Sequence, residues 1–78
     1  MTLEESKIYL GEKIKIVLKK GLEKEYVNEE FGIKVEKFCN GKLTKIRESD
    51  ENIGQYELVI NGTYIVELND IESIEILD

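Results

Sequence analysis

Glycine recurs at positions 11, 21, 32, 41, 54 and 62 of the 78-residue chain, and proline is absent. Intervals of this length hold one strand and one turn each, which is the punctuation of an all-β sandwich or barrel. Nothing in the composition opposes that reading, since proline is the residue that breaks strand ladders. The pattern is sharpest in the last third. There Gln55–Ile60 and Thr63–Leu68 are apolar-rich runs separated by Asn61-Gly62, two residues that tolerate the positive φ of a tight hairpin turn. A turn with Gly62 as a left-handed bulge residue pairs Leu58 with Tyr64 and Tyr56 with Val66, leaving Glu57, Thr63 and Glu67 outside. In Asn69–Ser73, the three-residue step from Ile71 to Ile74 predicts a single 3₁₀ turn. A short strand from Ile74 to Leu77 then closes the fold.

Upstream, Thr2-Leu3-Glu4-Glu5 has the form of a capping box and predicts a short N-terminal helix that Gly11 stops. Leu3, Lys7 and Leu10 share one of its sides. Glu12–Lys20 alternates, with Ile14, Ile16 and Leu18 on one face and lysines on the other, as in a half-buried strand. Leu22–Phe31 shows both helical and strand-like spacings and reads as a long acidic loop. Ile33–Cys39 and Lys42–Glu48 read as a hairpin about Asn40-Gly41, with Val35 opposite Ile46 and Glu36 opposite Lys45. Phe38 and Leu43 would then meet at its tip, either curling over another edge or forming an exposed apolar tip open to a partner. No linker or repeat divides the chain, so residues 1–78 form a single domain.

Tyr64-Ile65-Val66-Glu67-Leu68-Asn69-Asp70-Ile71-Glu72-Ser73-Ile74-Glu75-Ile76 resembles the close of an SH3-like or Sm-like barrel. The resemblance implies five to six antiparallel strands in a small barrel with the short N-terminal helix added. For Sm-like proteins it implies RNA bound at two loops, here Asn40-Gly41 and Asn61-Gly62. The aspartate and arginine those loops would carry are missing. For SH3 domains it implies an aromatic groove for proline-rich peptides, to which Tyr26, Phe31, Tyr56 and Tyr64 are available, with no tryptophan.

Function is bounded mainly by omission. With no histidine, no side chain titrates near neutrality unperturbed and no Ser-His or Cys-His nucleophile can be assembled, so an enzyme is not expected. The single cysteine allows no internal disulfide and no sulfur-rich metal site, and no cofactor is implied. Cys39 lies beside Lys37 and Lys42, which would lower its pKa slightly; the simpler reading is a small, partly buried hydrophobe. Glu48, Asp50, Glu51 and Asn52 lack the spacing of a calcium loop. The chain has neither a membrane-length apolar run nor a basic leader, so a cytoplasmic protein is expected.

Charge is divided unevenly. The first half is neutral, with eight lysines against eight glutamates, whereas residues 40–78 set three cations against nine acids and carry the whole net charge of −6. The expected function is a protein-interaction module in which Glu48, Asp50, Glu51, Glu67, Asp70 and Glu72 dock a basic protein surface. Self-association is a further option. The alternative is a nucleic-acid-binding barrel that uses Lys13, Lys15, Lys34, Lys45 and Arg47 on a strand face, or an acidic nucleic-acid mimic. The acidic half makes nucleic acid the weaker of these partners.

Overall fold

Thr2 caps the first helix as its sequence prescribes. The Thr2 hydroxyl accepts from the Glu5 amide (3.2 Å) and the Thr2 amide donates to the Glu5 carboxylate (3.3 Å), at the head of α1, Leu3–Lys7. The structure is a computed structural model and describes residues 1–27 and 29–77. After α1 come strands β1 (Lys13–Leu18), β2 (Asn40–Glu48), β3 (Tyr56–Ile60), β4 (Tyr64–Glu67) and β5 (Ile71–Ile76). They form one antiparallel sheet in the order β4-β3-β2-β1-β5, with β4 and β5 at its edges. The fold is therefore mostly β, as expected, with five strands. The alternation of β1 places Ile14, Ile16 and Leu18 in the core and Lys13 and Lys15 in solvent. Leu43, Leu58, Ile60, Val66 and Ile71 complete the fully enclosed part of that core.

The long strand β2 changes partners along its length. Asn40–Lys42 pair with β1, whereas Leu43–Glu48 pair with β3. The change occurs at a bulge on Thr44, whose hydroxyl donates to the Val59 carbonyl and accepts from the Gly62 amide. Asn61 secures the same bend from the other side: its side-chain oxygen accepts from the Lys42 amide at 2.9 Å, and its own amide donates to the Lys42 carbonyl at 2.8 Å. Glycine at position 41 leaves room for this contact, because a Cβ would lie 2.5 Å from the Asn61 side chain and displace it.

Four features depart from the sequence reading. Residues 35–39 are a helix, α2 (Val35–Cys39), and not a strand. Val35, Phe38 and Cys39 turn to the interior at i, i+3 and i+4, and in five residues that spacing competes evenly with alternation. Phe38 lies edge-on between Tyr26 (5.3 Å) and Tyr64 (5.1 Å), while Leu43 is fully buried, so neither is a hairpin tip. Asn40-Gly41 accordingly opens β2 and is not a turn, and Arg47, not Lys45, finds a carboxylate across the sheet.

The second and third departures concern the C-terminal elements. The β3–β4 hairpin pairs Ile60 with Tyr64 and Leu58 with Val66, two residues away from the expected register. Asn61 (φ 53°) and Gly62 (φ 72°) both take the left-handed conformation, and Thr63 is added before the ladder begins. The 3₁₀ turn between the last strands covers Leu68–Asp70, ahead of its expected place. The Ile71-to-Ile74 step instead reflects a bulge in β5: Leu18 pairs with Ile71 and Val17 with Ser73, which lets both isoleucines face inward. Fourth, Leu22–Phe31 holds 3₁₀ turns at Glu23–Tyr26 and Glu29–Phe31, with Asn28 outside the described residues. Among the described residues no helix is long and apolar enough to cross a membrane.

Candidate functional site: an acidic groove across the outer face of the sheet

Alternation along β2, β3 and β4 sends one row of side chains to the face opposite the core. Arg47, Glu57 and Glu67 are successive cross-strand partners in that row. Arg47 Nε donates to Glu57 Oε1 at 2.7 Å, and its side chain covers Glu57, which is only 7% exposed. Glu67 follows directly opposite Glu57, and among the described residues no cation pairs with it. Like charges set opposite each other on a sheet are destabilising.

Two further elements bring acids to this row. The Ser49–Gln55 loop is closed by the Ser49 amide donating to the Gln55 carbonyl, and its Asp50 and Glu51 line a hollow of about 270 Å³ with Arg47, Glu57, Ile65 and Glu67. The hollow continues into a second of about 370 Å³, where Ile65 and Glu67 meet Glu25, Tyr26 and Asp70. Among the described residues lining this groove, six are carboxylates and Arg47 is the one cation. Glu67, common to both hollows, has its pKa raised, first by desolvation and then by Asp70, Glu57, Glu51 and Glu25.

Tyr26 holds the groove's far wall. Its hydroxyl donates to Asp70 Oδ2 at 2.6 Å and accepts from the Glu67 amide at 3.1 Å, joining the 3₁₀ segment to the end of β4. Burial and the bond to Asp70 raise its pKa well above that of free tyrosine.

Of the acids expected to bind a partner, Asp50, Glu51, Glu67 and Asp70 are gathered here. Glu48 points to the other side of β2 and accepts from the Gly54 amide, and Glu72 lies exposed in the β5 bulge. Glu25 and Glu57 were not among the expected site residues, and Tyr26 was expected only as an aromatic of a peptide groove. The correct hairpin register would have placed Glu57 opposite Glu67; nothing in the local sequence marks Glu25 or Tyr26, whose loop is positioned only by the tertiary bond to Asp70.

The expected basic stripe is divided. Lys13 sits across from Lys42, Lys15 lies between Asn40 and Glu75, and Lys34 precedes α2, off the sheet. Lys45 and Arg47 lie on the other half of β2, where Arg47 is engaged by Glu57. Cys39 is buried against an apolar hollow walled by Ile16, Leu18 and Val35. Its pKa is raised by burial, then by Glu36 and Glu23, so the two lysines expected to lower it do not prevail. Among the described residues no cluster of Cys, Asp and Glu has the makings of a metal site. Comparison of the chain with models of known families, with curated proteins and with solved structures gives no match.

Proposed function

We propose that this chain is a non-enzymatic protein-interaction module, built as a small SH3-like or Sm-like barrel, whose acidic groove receives a basic segment of another protein. The strand order and the 3₁₀ turn between β4 and β5 support the barrel assignment. The observation that carries the function is the state of Glu67: partly desolvated and facing four other carboxylates, with the nearby arginine already committed to Glu57. A lysine or arginine entering the groove would relieve that repulsion, and Ile65 on its floor offers apolar contact to the stem of such a side chain. The same field repels nucleic acid.

Affinity capture with the tagged chain, with and without nuclease and at low and high salt, tests this reading. A stoichiometric protein that survives nuclease and is lost when Asp50, Glu51, Glu67 and Asp70 are all changed to lysine is the expected result. Undiminished capture by that variant refutes the assignment. Recovery of nucleic acid that falls away as salt rises would transfer the function to Lys13, Lys15, Lys45 and Arg47.

A further inference from the structure

A second groove, of about 630 Å³, runs along β2 between that strand and α1, with Arg47 lining both it and the acidic groove. Leu3, Leu10, Ile46 and Tyr56 give it an apolar floor, and Lys7 and Lys45 stand among its lining residues. Leu10 is 52% exposed and neighbouring Ile8 71% exposed, so apolar surface extends beyond the groove. The molecule also presents a shape of the converse kind. Ile53, at the tip of the Ser49–Gln55 loop, is 95% exposed, and the acids Asp50 and Glu51 precede it. The loop is not a loose strand of chain: the Ser49 amide donates to the Gln55 carbonyl, the Gln55 amide to the Asn52 carbonyl, and the Gly54 amide to Glu48.

We infer that the chain forms a symmetric dimer in which the Ile53 tip of each copy enters the α1–β2 groove of the other. Ile53 finds the apolar floor, while Asp50 and Glu51 meet Lys45 and Lys7, the latter exchanging its exposed pair with Glu4 at 3.0 Å. Among the described residues of the lining the one acid, Glu48, accepts from the Gly54 amide of its own loop. Two-fold closure follows from where the parts sit. Glu48 and Tyr56 line the groove and also flank the loop, which sets each tip beside its own groove. With tip and groove adjacent, a two-fold axis passing between them seats both tips at once, as an isologous interface requires. Two Ile53 side chains and their acidic shoulders make a small interface, so the dimer is weaker than roughly micromolar.

Sedimentation velocity of the full chain from about 10 µM to about 1 mM reads this affinity range. The expected weight-average mass rises from 9.0 kDa toward twice that value, less steeply at high salt. Ile53→Ser, at a fully exposed position, leaves the fold intact and weakens dimerisation at least about tenfold. Lys45→Glu weakens it as well, and adding Asp50→Lys to Lys45→Glu restores it. A monomer at every concentration, a dimer indifferent to Ile53→Ser, or growth into open chains each overturns the proposal. Glu67→Gln with Asp70→Asn leaves the dimer unchanged while abolishing capture of a basic partner, so the two proposals fail separately.

Discussion

Replacing Tyr26 by phenylalanine removes one oxygen and keeps the ring that packs edge-on against Phe38. Two bonds are lost: donation to the Asp70 carboxylate at 2.6 Å and acceptance from the Glu67 amide at 3.1 Å. A hydrogen bond to a charged group contributes about 1.5–3 kcal/mol, and a neutral one about 1 kcal/mol. Both sites are only partly buried, so water replaces some of the loss, and the expected cost is about 2–3 kcal/mol. A chain of this size is stabilised by roughly 4–12 kcal/mol in total, so the loss is a substantial fraction. With an unfolding entropy of about 160 cal/mol/K for a chain of this length, the melting temperature falls by about 12–18 °C. Thermal and urea unfolding followed by circular dichroism measure this, and a double-mutant cycle with Asp70→Asn isolates the pair. Alkali supplies an independent check. The Tyr26 pKa is raised in the fold, by burial first and the Asp70 bond second, so its contribution is complete below the unfolded value of about 10 and declines as pH rises beyond it. The wild-type chain should lose stability above about pH 10 more steeply than Tyr26→Phe. A melting temperature lowered by less than about 3 °C would refute the latch.

Glu67→Gln should stabilise the chain at neutral pH by about 0.2–1 kcal/mol, because it removes one of two like charges set directly opposite on the sheet. Its raised pKa means that protonation favours the fold, so the wild-type chain gains stability as pH falls through that pKa and the advantage of the variant disappears near pH 4, as paired urea titrations would show. Gly41→Ala pushes the Asn61 side chain off the Lys42 amide and should cost about 1–3 kcal/mol, with amide exchange accelerated at Lys42 and Asn61. Thr2→Ala removes the capping box from a five-residue helix and should cost about 0.5–1 kcal/mol, read by urea unfolding, with loss of amide protection confined to residues 3–7.

The parts of the fold that were legible in the sequence are those where one local signal has no rival. The Thr2–Glu5 capping box, the alternation of Ile14, Ile16 and Leu18, and the positive-φ pair Asn61-Gly62 all mark elements that are present. Where the reading went astray, two periods fitted the same few residues. Val35–Cys39 offers both alternation and a helical face; its burial against Tyr26 and Tyr64 selects the helix. Bulges defeated the rest. Thr44 and the Glu72 region each insert one residue into a ladder, and the three-residue turn Asn61–Thr63 moves the β3–β4 pairing two residues from its expected register, which keeps the faces but changes every cross-strand partner. For that reason the acidic groove was visible as a charge imbalance but not as a place. Glu57 and Glu67 could be set opposite each other only with the hairpin register known, and Glu25 arrives through a tertiary bond from Tyr26 to Asp70.

The central claim is that the groove around Glu67 accepts a basic protein segment. Its most direct test is an amide-shift titration of the ¹⁵N-labelled chain with a peptide of alternating lysine and valine, at low and at high salt. The expected shifts concentrate at Glu25, Asp50, Glu51, Ile65, Glu67 and Asp70, are suppressed by salt and are absent in Glu67→Gln/Asp70→Asn. Shifts scattered over the surface, or unchanged in that double variant, would contradict it.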